Sequence, residues 1–200
     1  VAENFGIPYH IIDPDNTNSI GLNPFAHEDP SKTAVAISSV LKGMYASTHV
    51  DVELAFRENA AAQAIENLAI LLKEMYPKLH EGLLPNLEDM LKMLNNFDLV
   101  EKMCEILKQD PELAEKYSIQ LGYFQKNFYK NSSGREDTEK FVFAAATELD
   151  NLLRYPGVKR ILCSRSNNIN FDKALSDGEI TFICTRRGDL GASAHKAFGL

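Results

Sequence analysis

The segment YHIIDPDNTNSIGLNPF, residues 9–25, decides how this chain is read. Tyr9-His10-Ile11-Ile12 has the β-branched, apolar character of a strand. It stops abruptly at Asp13-Pro14, and a loop then closes on Gly21-Leu22-Asn23-Pro24-Phe25. A strand that ends in an acidic turn belongs at the carboxyl edge of an α/β sheet, where ligands of open sheets sit. Yet this strand comes so early that little of a sheet can precede it.

Beyond residue 28 the pattern turns helical. Asp29-Pro30 supplies an N-cap with proline at the first helical position. Ala34, Ile37, Val40, Leu41 and Met44 follow at helical spacing, with Gly43 and Ser47-Thr48 marking the stop. A long helix is predicted from Asp51 to Met75, its apolar stripe being Ala61, Ile65, Leu68, Leu72 and Met75. Tyr76-Pro77 is expected to end it, because the residue before proline is pushed out of the α region. Asn86 and Asp89 have capping-box spacing for a shorter helix. Further helices are predicted from Asp98 to Lys108, from Asp110-Pro111 to Tyr129, and from Asp137 or Thr138 to Leu153.

The texture changes again after Pro156-Gly157. Val158–Cys163 and Glu179–Thr185 are β-rich runs, and the second is apolar enough for a strand covered on both faces. Asn170 to Leu175 reads as one helical turn, ended by Asp177-Gly178. The fold expectation is therefore mostly α with a few β strands. Residues 1–28 and 155–200 form part of an α/β sheet, and 29–154 form an all-α insertion on its edge.

Composition narrows the function. Of 200 residues, 44% are apolar and 24% charged, which is ordinary for a globular domain. Cys104, Cys163 and Cys184 lie far apart, fit no zinc spacing, and read as buried reduced thiols. The net charge of −7 argues against a polyanion binder. That charge is uneven: Asp51 to Lys116 holds 14 acidic and 7 basic residues, while Arg154 to Arg187 holds 7 basic and 3 acidic.

No GxxxxGK[ST], GxGxxG or GxSxG occurs, and the five histidines (10, 27, 49, 80 and 195) are scattered. Three surfaces remain. Asp13 can present a carboxylate at the sheet edge or simply build an Asx-Pro turn, and the two readings weigh equally. Arg186 and Arg187 can meet a nucleotide phosphate, a neighbouring subunit or DNA, against the alternative of a solvated loop. The acidic helical block offers a face for a protein partner, against that of a scaffold with ordinary solubility charge.

Several segments together resemble the HerA–FtsK superfamily of DNA-pumping ATPases, nearest to the coupling proteins and ATPases of conjugation and type IV secretion. These are His10-Ile11-Ile12-Asp13-Pro14, Gly21-Leu22-Asn23-Pro24-Phe25, the helical block, Phe171-Asp172-Lys173-Ala174-Leu175-Ser176-Asp177-Gly178-Glu179-Ile180-Thr181-Phe182, and Arg187-Gly188-Asp189-Leu190-Gly191. The resemblance covers most of the chain through the order of several weak motifs, and the helical block matches in type and position more than in residues.

It implies that the chain is an interior piece of a RecA-like motor ATPase, lying between its Walker A and Walker B motifs. Asn23-Pro24-Phe25 would be the exit into the insertion. The full-length protein would bind ATP and Mg, form a hexamer, and sit on the cytoplasmic side of the inner membrane. It would move a relaxase–DNA or protein substrate alongside other secretion-system subunits. This piece, lacking both Walker motifs, is expected to bind no cofactor and to be inactive alone. The resemblance does not separate a coupling protein from the sister pilus-assembly ATPase. The competing expectation is a stand-alone helical adaptor with no motor activity.

Overall fold

A computed structural model describes residues 3–45, 51–185, 188 and 195–197. The chain is mostly helical, with one two-stranded parallel sheet among the described residues. Strand β1 (Tyr9–Ile12) pairs with β2 (Ile180–Ile183), Tyr9 opposite Ile180 and Ile12 opposite Ile183. The amides of Ile180 and Cys184 extend the ladder to the carbonyls of Pro8 and Ile12.

Between the strands lie α1 (Pro30–Tyr45), α2 (Val52–Leu79), α3 (Leu87–Leu94), α4 (Phe97–Leu107), α5 (Pro111–Lys116), α6 (Ser118–Asn127), α7 (Arg135–Leu153), α8 (Pro156–Leu162) and α9 (Phe171–Ser176). Helix α2 is the spine. It packs along α1 and α7, and α3 closes on α7. Ile65, Leu68 and Leu72 of α2 are fully buried, as the stripe in the sequence requires. The hydrophobic core runs unbroken from Ile12 and Phe25, through the helices, to Val158, Ile161 and Ile169.

The capping signals at Asp29-Pro30, Asn86 with Asp89, and Asp110-Pro111 act where the sequence places them. Asp29 Oδ1 accepts from the amides of Ser31 and Lys32, at 2.8 and 3.1 Å. Asp51, Asp110 and Asn170 cap α2, α5 and α9. Asn86 and Asp89 close the full capping box of α3.

Elsewhere the structure corrects the reading. Pro77 does not end α2, which runs on to Leu79. A proline this near a C-terminus costs only the bond to the carbonyl four residues back. The last turn is also pinned by the ring of Tyr76, 4.1 Å from that of His80. Helix α7 starts at Arg135 rather than at Asp137 or Thr138, because Arg135 bonds Asp98 at 2.9 Å and Thr138 Oγ1 bonds the Gly134 carbonyl at 2.8 Å.

Val158–Cys163 is not a strand. Pro156 opens α8, and Val158, Ile161 and Leu162 share one buried face at helical spacing. A short apolar run satisfies either period, and proline at the first turn favours the helix. Gly157 lets α8 dock against the turn after β1, since a Cβ there would stand 2.0 Å from the Pro14 carbonyl oxygen. Strand β2 is not covered on both faces either: Phe182 is 47% and Ile183 39% exposed.

The single helix expected from Asp110 to Tyr129 is broken at Tyr117 into α5 and α6. The buried Tyr117 ring turns inward, and its hydroxyl donates to Glu74 Oε2 at 2.7 Å. Burial opposes ionisation of Glu74, but hydrogen bonds from Lys78 and Tyr117 outweigh it and hold its pKa below the ordinary 4.5. A depressed folded-state pKa adds stability above the unfolded-state value, which is lost as pH falls through the folded one. Acidification below about pH 4.5 is therefore expected to lower the urea midpoint. Glu74→Gln should be less stable at neutral pH and should lose less on acidification. An equal acid response in both proteins would remove Glu74 from this role.

Candidate functional site

The residues singled out from sequence do not converge on one site. Asp13 sits in the turn after β1, where its Oδ1 accepts from the Asp15 amide at 3.1 Å and its own amide donates to Ser19 Oγ at 3.0 Å. This is Asx-turn geometry. Arg186 and Arg187 lie outside the described residues. Much of the neighbouring basic segment is bonded within the chain. Arg160 donates to the carbonyls of Pro14 and Asn16, Lys159 pairs with Glu88 at 3.0 Å, Arg165 with Asp89 at 2.9 Å, and Arg154 with Asp150.

Asn23 of the Asn-Pro-Phe exit is the keystone of a junction. Three chain segments meet there, around residues 21–25, 84–86 and 163–168. The Asn23 carboxamide is 4% exposed and donates to the carbonyls of Pro85 and Ser164, both at 2.9 Å. Its Oδ1 accepts from the Phe25 amide at 3.0 Å, which caps the short 3-10 turn Pro24–Ala26. Asn168 receives the Asn23 amide and returns a bond to Ser164. Asn86 reaches the Cys163 carbonyl at 3.0 Å. Arg165 donates to the Leu84 carbonyl and to Asp89, and its guanidinium lies over the Tyr76 ring, 5.1 Å from the centroid. Phe25 is fully buried, as an anchor at the chain's exit requires.

The three cysteines are free thiols, and Cys104 alone is fully buried. Burial pushes the thiol of Cys104 up to about 12 and that of Cys163 to about 11. Thiols so far from ionisation are poor nucleophiles. Among the described residues no group of His, Cys, Asp and Glu is arranged to hold a metal, and no helix is long and apolar enough to cross a membrane.

The open volume lies elsewhere. A cleft of about 940 Å³ separates α1, α2, α6 and α7. Phe56, Tyr123 and Phe141 give it aromatic walls, and Phe56 meets Phe141 edge-on at 6.0 Å. Lys42 and Lys126 also line it. Deeper in, Ser38 Oγ donates to Glu66 Oε1 at 2.7 Å. Its residues come from helices widely separated in sequence, so no linear motif announces it. The usable signal was Phe56, an aromatic that falls off the apolar stripe of α2.

The fold and its cleft define a mostly helical protein carrying a small parallel sheet and a polar, aromatic-walled groove. No family model matches the chain, and no curated protein matches it.

Proposed function

We propose that the chain is the central segment of a motor ATPase of conjugative DNA transfer or type IV secretion, with the helical block as its all-α, substrate-recognising domain. The observation that carries this reading is the parallel pairing of β1 with β2. Strands on either side of a long helical block, joined side by side in one sheet, are what a helical insertion on an α/β core requires. Parallel sheets are normally covered on both faces, and β1 and β2 expose Tyr9, Ile11, Phe182 and Ile183. In this reading those faces belong against the remainder of a RecA-like core.

The rest of the engine follows by resemblance. The full-length protein is a hexamer that hydrolyses ATP with Mg at the cytoplasmic face of the membrane, and its substrate is a relaxase–DNA complex or another secreted protein. The acidic helical block suits a protein partner better than bare DNA.

The coding sequence upstream is the direct test. A GxxxxGK[ST] within about 30 residues of Val1 is expected from the usual strand–loop–helix spacing. Its absence would favour the adaptor reading, which the unbroken core from Ile12 to Ile169 supports. Isothermal titration of the 200-residue chain with Mg-ATP should show no binding, because no phosphate loop is present. Tight Mg-dependent binding would overturn the proposal.

A further inference from the structure

We infer that the cleft between α1, α2, α6 and α7 is a peptide-binding site for a partner segment that combines apolar side chains with carboxylates. The inference rests on reading the helical block as the partner-recognising part of the protein.

The walls come first. Phe56 is 64% exposed at the cleft. A large apolar side chain left in water forgoes the stabilisation that burial would give it. Together with Tyr123 and the edge-on Phe141, it forms a surface suited to an apolar side chain. Amide side chains of Asn59, Gln63 and Asn127 also line the cleft. Such groups donate and accept at once, as an extended peptide backbone demands.

Charge selects the occupant. The body of the helical block is acidic, yet the cleft is lined by two lysines and one carboxylate. That carboxylate, Glu66, is engaged by Ser38. Three acids on the adjoining turns are also paired: Glu53 with Arg57, Asp137 with Lys140 and Glu139 with Arg135. Lys42, by contrast, bonds the neutral Asn59 side chain at 2.6 Å, and among the described residues neither Lys42 nor Lys126 makes an ion pair. The groove thus holds a local cationic surplus. A net charge of −7 repels a long polyanion, so the chemistry fits a few carboxylates on a peptide rather than a nucleic acid strand.

The test is fluorescence anisotropy on the 200-residue chain. The probe is a labelled dodecapeptide that alternates Leu with Asp and Glu. Its comparators are the same peptide with Lys at every acidic position and a short oligothymidylate. The acidic peptide is expected to bind with Kd in the micromolar range, the Lys peptide about tenfold or more weakly.

Lys42→Glu with Lys126→Glu should weaken the acidic peptide about tenfold and flatten its salt dependence. Phe56→Ala should weaken it about tenfold at any salt. Phe56 and Lys126 are exposed and Lys42 is half-buried outside the core, so these changes leave the core intact. Phe143→Ala and Lys102→Glu, on exposed positions that do not line the cleft, should change nothing. No binding up to about 1 mM, equal binding of the Lys peptide, tighter binding of the oligothymidylate, or equal damage from the control variants would each overturn the inference. Such a failure leaves the motor reading standing, because that is decided by the upstream phosphate loop.

Discussion

Asn23→Ala is expected to lower the unfolding free energy by about 3 kcal/mol, read from urea denaturation followed by circular dichroism. The side chain is buried and makes three hydrogen bonds, to the carbonyls of Pro85 and Ser164 and from the Phe25 amide. Alanine leaves those groups without their partner, and each buried polar group so abandoned costs about 1–3 kcal/mol. Asn23→Asp is expected to be at least as damaging at neutral pH. It removes both N–H donors and points a carboxylate at the two carbonyls. A loss below about 1 kcal/mol in both variants would mean that water replaces the amide, and the junction would then not be the clamp described.

The second large effect is expected at Asp89. It is 5% exposed, and one carboxylate serves four groups. Its Oδ2 accepts from the Asn86 amide at 3.1 Å and from Arg165 at 2.9 Å. Its Oδ1 accepts from the Tyr76 hydroxyl at 3.2 Å and lies 3.5 Å from Lys92 Nζ. Asp89→Ala should cost about 3–5 kcal/mol, as when one partner of a buried ion pair is deleted. For a chain of this length that corresponds to a fall in Tm of roughly 10 °C. Asp89→Asn keeps an acceptor for the Asn86 amide and should cost about half as much. If Asp89→Ala and Arg165→Ala together cost no more than either alone, the pair acts as one unit.

Both positions show what sequence reading reaches. Asp89 was legible as the acid of a capping box, because that device closes within four residues. Its bonds to Tyr76 and Arg165 were not, since they join positions 13 and 76 residues away. The resemblance marks Asn23-Pro24-Phe25 as the exit into the helical block, and the grip of Asn23 on Pro85 and Ser164 was not legible. The caps at Asp29 and Asp110 were also readable, for the same local reason.

The misreadings have tertiary causes. Pro77 predicts a stop, but packing of Met75 and Tyr76 carries α2 past it. Tyr117 was placed on a continuous helical face, and its bond to Glu74 of α2 breaks that helix in two. Val158–Cys163 reads from sequence as a β-rich run, but docking of Gly157 on Pro14 and burial of Val158 and Ile161 on one face make it a helix.

By itself, then, the sequence determined a mostly helical chain with strand-forming segments on either side of the helices, because capping and side-chain periodicity are local properties of the backbone. Only the tertiary structure decided that β1 and β2 run parallel in one register, that three asparagines knot the junction, and that two lysines and three aromatic rings share one cleft. Those outcomes depend on contacts between residues tens to more than a hundred positions apart, where burial and hydrogen-bond satisfaction override local preference.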